Sequence, residues 1–275
     1  MNMRMTVFYD HVREACRQSN MSLREVAQLL KEQGIIGVEM DYYEMTEELV
    51  CELNAAGIPI HNVYCHFDWS GTPADESNNS LWLKVLGDLR KYGIGYMLVI
   101  PGFVKEGGDY EAQRKSMAKG CRLLCDEAEE LGIKVCMEDF DDSAAPYSTY
   151  EGVRWFLDEV PKLSCAFDTG NFYYSGQDVM EAYEALKDRI GYVHCKDRSL
   201  DAKPGETPKA CVDGQMMYSA SVGSGIIPMR EIVRAIINSG YQGVWAIEHF
   251  GSQNQLEDIL ASAEFLNAIK AECQG

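Results

Sequence analysis

Short apolar runs recur along the chain, and a stretch of helical periodicity separates most of them from the next. The runs are Met5–Tyr9, Ile35–Met40, Pro59–Cys65, Tyr96–Ile100, Ile133–Met137, Leu163–Phe167, Gly191–Cys195 and Val244–Ile247. Runs this short and this apolar read as strands buried on both faces. The segments between them carry apolar residues at helical spacing, as in SLREVAQLLKEQG from Ser22, TEELVCELNAAG from Thr46 and SLWLKVLGDLRKYG from Ser80. Ser22 and Thr46 are placed as N-caps, and Glu25 completes a capping box with Ser22. Gly34, Gly57, Gly93, Gly132 and Gly240 each stand where a helix must end before the next strand.

Eight strand–helix units at this spacing predict a (β/α)₈ barrel over a single domain, residues 1–275. A doubly wound open sheet shares the same periodicity. No GxGxxG follows the first strand and no GxxxxGK[ST] occurs, so the sequence lacks the usual signs of a dinucleotide or P-loop site. No linker or low-complexity stretch divides the chain.

Four of the later strands end in a polar group: Glu138 after IKVCM, Asp168 after LSCAF, His194 in IGYVHCKD and Glu248 after GVWAI. In a parallel barrel the carboxyl ends of the strands form the face where active sites are built. Two Glu, one Asp and one His form a ligand set for a divalent cation such as Mn²⁺ or Mg²⁺. A lone carboxylate at such a place is more often a solvated strand end or a helix N-cap. Four in successive units at matching depth argue against coincidence. Strand alternation puts Lys134 and Cys136 in phase with Glu138, Ser164 and Ala166 with Asp168, and Val244 and Ala246 with Glu248. Val135, Met137, Phe167 and Trp245 then face the helices.

The formal charge is −18, which repels phosphate backbones and anionic lipid. Nucleic acid and membrane are therefore not expected as partners. The ten cysteines lack CxxC or zinc-ribbon spacing and several fall inside strands or helices, as buried thiols in a reducing compartment would. The amino-terminal stretch has no apolar signal-peptide core and no run approaches membrane-spanning length, so the expected location is cytoplasmic.

The order Glu, Asp, His, Glu on strands five to eight resembles the xylose-isomerase-like barrel superfamily. That group includes sugar isomerases and epimerases, inosose dehydratases, hydroxypyruvate isomerases and endonuclease IV. KVCMED around Glu138, FDTGN around Asp168, VHCKD around His194 and the run from VGSG to GYQGVWAIEH carry the likeness. The resemblance implies one divalent metal, Mn²⁺ first with Mg²⁺, Co²⁺ or Zn²⁺ as alternatives, held by Glu138, Asp168, His194 and Glu248. It also implies Glu138 and Glu248 as an acid/base pair that isomerises or epimerises a sugar or related polyhydroxy ketone through an enediolate stabilised by the metal. Loss of a β-hydroxyl from the same species would give the alternative, a dehydratase of a keto-inositol or similar polyol. A non-catalytic sugar-binding barrel is the reading from another class. Relatives are often dimers or tetramers, and a homo-oligomer is expected here.

The chain departs from parts of that pattern. Asn171 stands where some members have a histidine three residues after the sixth-strand aspartate, and Leu200 and Ala144 replace an arginine and a glutamate of the tagatose-epimerase-like members. Only His11, His61, His66, His194 and His249 are present, too few in the right places for the trinuclear zinc site of endonuclease IV.

Further candidates surround the four. His66 ends the third strand in phase with Tyr64 and Asn62, and is expected to bind a substrate oxygen. Lys196 shares the phase of His194 and is expected to hold a substrate hydroxyl, carboxylate or phosphate, with Arg198 a weaker candidate. Glu39 would be an inward charge that needs a partner, behind the ligands or facing substrate. Trp69 and Phe103 are placed as apolar walls against a sugar ring, and His249 as structural. Two long loops, from Phe67 to Asn79 and from Asp197 to Gly225, are expected to cover the site or build a subunit contact, with Glu206 or Met216 within reach of substrate.

Overall fold

A computed structural model describes residues 3–72, 74 and 80–274. Its strands are β1 (Arg4–Phe8), β2 (Ile35–Asp41), β3 (Ile60–His66), β4 (Tyr96–Ile100), β5 (Lys134–Met137), β6 (Ser164–Asp168), β7 (Ile190–Ser199), β8 (Lys209–Ala210), β9 (Met216–Ala220) and β10 (Val244–Glu248). Its helices are α1 (Tyr9–Ser19), α2 (Leu23–Glu32), α3 (Glu47–Ala56), α4 (Ser80–Tyr92), α5 (Tyr110–Glu130), α6 (Tyr150–Glu159), α7 (Val179–Leu186), α8 (Met229–Asn238) and α9 (Gln255–Gln274). Strands β1 to β7 pair in parallel in chain order, and β10 pairs in parallel with both β7 and β1. The sheet is closed. This is the (β/α)₈ barrel expected from the alternation.

Local signals act as the sequence implies. The Ser22 hydroxyl accepts from the Glu25 amide at 3.3 Å while the Glu25 carboxylate accepts from the Ser22 amide at 2.8 Å. Thr46 Oγ1 accepts from the Leu49 amide at 3.2 Å. Gly57 ends α3 at φ 81°, a left-handed conformation that a Cβ would disfavour, and its N–H donates to the Leu53 and Asn54 carbonyls.

Strand alternation divides the core in two. Leu98, Cys136, Ala166, Tyr192 and Val244 form a small cluster inside the barrel with Tyr64 and Tyr96 packed on it. Val135, Met137, Phe167, Val193, Trp245 and Ile247 belong to the larger layer between strands and helices. Small Cys136 and Ala166 keep the interior from filling at the carboxyl end. The same phase turns Glu138, Asp168, His194 and Glu248 inward.

Three expectations change. Tyr9 opens α1 instead of closing β1, so two helices connect the first two strands. Strand β7 runs on to Ser199, beyond the expected end at Cys195. The stretch after it is not a simple loop: Asp197, Arg198 and Ser199 pair antiparallel with Ala220, Ser219 and Tyr218 of β9, and β8 with β9 makes a hairpin standing over the barrel mouth. Residues 73 and 75–79 of the other long loop lie outside the described residues.

Candidate active site and metal centre

The register of the barrel assembles the site. Asp168 pairs with His194 across β6 and β7, and Lys196 with Glu248 across β7 and β10. One ligand atom each from Glu138, Asp168, His194 and Glu248 lies within 4.8 Å of the others. The three carboxylates converge on Nδ1 of His194, which stands 2.9 Å from Glu138 Oε2, 3.4 Å from Glu248 Oε2 and 3.9 Å from Asp168 Oδ2. On the other side of the ring, Nε2 faces both carboxylate oxygens of Glu39 at 3.2 Å. Glu39 is fully buried and also accepts from the Tyr192 hydroxyl at 3.0 Å. With a cation at Nδ1, the Glu39 carboxylate behind Nε2 would hold the ring proton on that side and leave the Nδ1 lone pair for the ion.

Asp168 is held from its own turn. Its Oδ1 accepts from the Gly170 and Asn171 amides at 2.7 and 2.9 Å, which leaves Oδ2 pointing into the cluster. Among the described residues, Asp168 Oδ2 and Glu248 Oε2 are buried and accept no hydrogen bond. Buried anionic oxygens that accept no hydrogen bond are costly, even with the Lys196 ammonium 3.3 Å from Asp168 Oδ2. A divalent cation among the four groups would satisfy both, and a mixed carboxylate–imidazole set is chemistry that such an ion accepts. The residues fit the ion.

Lys196 is the counter-charge. Its Nζ lies 3.3 Å from Asp168 Oδ2, makes a short contact with Glu248 Oε1 and donates to Asn171 Oδ1 at 3.0 Å. Crowded charge moves the titrations. Burial, opposed by Lys196, raises Glu248 to about 7. Burial also raises Glu138 despite its bond to His194, whereas Glu39 and Glu138 lift His194 well above the ordinary range against the effect of burial. Burial with Asp168 and Glu138 close by pushes Asp139 well up, and among the described residues no other residue donates to its oxygens.

The site floors a cavity of about 470 Å³ between the barrel mouth and the hairpin. Phe8, Phe140, Phe250 and Tyr64 supply its apolar wall, and Asn171, Arg198 and Lys209 line the hairpin side. Burial works to raise Asp141 there, yet Lys196, Arg198 and Lys209 together hold it below the usual carboxylate range.

Other expected site residues fall elsewhere. Trp69 does not reach the cavity: its ring stacks on Phe67 at 4.5 Å and packs so closely on α5 that a Cβ at Gly120 would lie 2.2 Å from it. The His66 side chain is exposed, contacts Phe103 edge-on at 5.4 Å and is not part of the cavity wall. Phe103 stands behind Phe140, and neither Glu206 nor Met216 lines the cavity. His249 is structural, as expected: its Nδ1 meets Gln255 at 2.8 Å and its amide donates to His11 Nε2 at 3.0 Å.

Sequence reasoning passed over Asp141 and Lys209. It undervalued Arg198, although continuing β7 by two residues puts Arg198 in the phase of His194 and Lys196. Asp197, on the opposite phase, accepts from the backbone amides of Arg198, Gly223, Gly225 and Ile227 at 2.8 to 3.1 Å and pins the returning chain. The KD of HCKD thus divides between site and scaffold.

Residues 11–269 match the xylose isomerase-like TIM barrel family. The chain belongs to that family. An inosose dehydratase of Lacticaseibacillus casei is 25% identical over 158 residues, 55% of this chain and 53% of the relative. A fructoselysine 3-epimerase of Escherichia coli O157:H7 is 25% identical over 142 residues, 48% of this chain and 44% of the relative. The chain thus aligns with about half the length of these curated relatives. The crystal structure of the IOLI protein with a binding zinc atom superimposes with TM-score 0.73 at 16% identity, covering 98% of this chain and 99% of that one. No helix among the described residues is long and apolar enough to cross a membrane.

Proposed function

We propose that this chain is a divalent-metal-dependent isomerase or epimerase of a sugar or related polyhydroxy ketone. The observation that carries the reading is that Glu138 and Glu248 approach one point, beside the His194 Nδ1, from strands separated by β6 and β7. A substrate seated there lies between two carboxylates. Bound by Glu138, Asp168, His194 and Glu248, a divalent cation would supply Lewis acidity, polarising a ketone and its neighbouring hydroxyl and acidifying the C–H between them.

The chain's own groups then do the rest. One glutamate takes the carbon-bound proton on a carboxylate oxygen, and the other returns a proton to the adjacent carbon or to the opposite face. Lys196 offers its ammonium to the oxygen on which charge develops. Glu39 keeps the His194 ring in one orientation. Phe8, Phe140 and Phe250 limit water around the reacting carbon. Mn²⁺ is the ion we propose, a cytoplasmic location is proposed with the support of ten free thiols of which seven are buried, and a homo-oligomer is proposed with them.

A lyase that dehydrates a keto-inositol or similar polyol is favoured by one observation: the Lys196 ammonium touches Glu248, so a proton donor stands where a departing hydroxyl would need one. Incubation of a ketose and inosose panel in D₂O with Mn²⁺ separates the two. Deuterium entering substrate without loss of water supports the isomerase or epimerase, and an enone absorbance with loss of water supports the lyase. A metal-loaded protein that binds sugars but exchanges no C–H proton overturns both.

A further inference from the structure

We propose that Arg198, with Lys209 beside it, forms a carboxylate subsite at the hairpin side of the cavity, so that the substrate is a sugar acid or carboxylated polyol. This rests on reading the cavity as a sugar or polyol site. Arg198 is only 6% exposed, lines the cavity, and its Nε has no hydrogen-bond partner among the described residues. Its Nη2 donates to Asp141 Oδ2 and to Asn171 Oδ1, both at 3.1 Å. Lys209 Nζ lies 3.5 Å from the other oxygen of the same Asp141. One carboxylate therefore faces two cations, and one positive charge is left over.

A buried guanidinium with an idle donor and a half-share of a counter-ion is costly unless something else completes it. In a chain of charge −18, acidic side chains are not scarce, yet among the described residues Asp141 is the carboxylate in ion-pair contact with Arg198. The surplus is a single charge. It matches a carboxylate, whereas a phosphate ester brings about −1.5 to −2. The guanidinium fork also suits a planar carboxylate, with donors held in one plane.

Spacing places the subsite relative to the reacting groups. Arg198 follows Lys196 by two residues on β7, about 7 Å farther along the strand. Asn171 Oδ1 accepts from both, so the two cations form one continuous wall. A six-carbon chain spans that distance. Its ketone end would lie by Glu138 and Glu248, and its acid end by Arg198.

D-Glucose, D-glucuronate and D-glucose 6-phosphate differ only at the sixth carbon, as neutral, carboxylate and phosphate forms. Calorimetric titration of each into the purified protein with Mn²⁺ present tests the proposal. Glucuronate should bind about 10- to 100-fold tighter than glucose, the value of one buried charge-assisted contact. That ratio should fall toward one in Arg198→Met and part of the way in Lys209→Met. The second variant lies on the hairpin and keeps the test open if the first fails to fold.

Equal affinities, a ratio that survives Arg198→Met, tighter binding of the phosphate, or no binding of any of the three would each overturn the subsite. Proton exchange in D₂O reports separately on the enzymatic reading. A protein that exchanges substrate protons but shows no carboxylate preference loses only the subsite. One that prefers glucuronate through Arg198 but exchanges nothing keeps the subsite and loses the isomerase.

Discussion

Replacing Glu39 by Gln isolates the residue that orients His194. The side chain keeps its shape and can still accept from the Tyr192 hydroxyl, 3.0 Å away. What disappears is the negative charge opposite Nε2, which now sits 3.2 Å from both oxygens. A buried hydrogen bond to a charged group contributes about 1.5–3 kcal/mol. If that energy is spent on holding Nδ1 toward the three carboxylates, its loss weakens the ion's site by about 10- to 100-fold, the range seen when such partners are removed.

Fold stability should change less. Glu39 is one of several carboxylates packed around a single imidazole, so neutralising it also removes repulsion within that cluster. Mn²⁺ or Zn²⁺ affinity, measured by competition with a chelating dye, is the decisive readout, with thermal melting of metal-free protein as the control. A Glu39→Gln protein with wild-type metal affinity would refute the idea that this carboxylate sets the ligand nitrogen.

Glu138→Gln should abolish turnover and weaken metal retention while leaving the circular dichroism spectrum unchanged; normal activity in the D₂O assay would remove Glu138 from the chemistry. Chelation should lower the melting temperature, because an ion at 100 times its Kd adds about 2.7 kcal/mol; identical melts with and without metal would argue against a structural cluster for an ion. Asp197→Ala removes the acceptor of four backbone amides and should cost about 2–4 kcal/mol in a urea titration; a loss under about 0.5 kcal/mol would show that the chain after β9 holds itself. Burial keeps His11 well below its usual pKa, and its Nε2 accepts from the His249 amide, so protonation would set donor against donor. Its folded pKa lies below its unfolded value of about 6.5, so its contribution is present above that pH and is lost as pH falls toward the folded value. The urea midpoint should drop between pH 7.5 and 5.5 more steeply in wild type than in His11→Gln; parallel slopes would sink the assignment.

The barrel was legible because two periods govern it. Apolar runs ending in Glu138, Asp168 and Glu248 gave depth as well as type, since an inward residue at one strand end lies level with its neighbour in a parallel sheet. The register sets Asp168 level with His194, whereas Glu248 stands level with Lys196, one inward position past His194. Glu39 was legible for a different reason. An inward charge on an apolar strand needs a partner, and the second strand offered none of its own.

What stayed hidden depends on contacts between distant parts of the chain. His66 has the right phase, yet at the end of β3 its ring turns outward to Phe103, and phase alone does not fix a rotamer at an exposed strand end. Trp69 looks like a sugar platform by type, but Gly120, about fifty residues later in sequence, clears a place for it against α5. The continuation of β7 is the deeper case. Arg198 and Ser199 remain extended because β9 returns to pair with them, and β9 is separated from β7 by a polar stretch with no strand period of its own. A strand stabilised by a partner that is itself unpredicted ends too early when read alone. Extending it changes the chemistry of the site, because the same alternation that turns His194 and Lys196 inward then adds a guanidinium. The floor of the cavity is written in local periodicity and its far wall in a tertiary pairing. That difference explains why the candidate ligand set could be named from sequence while the groups on the far side of the cavity could not.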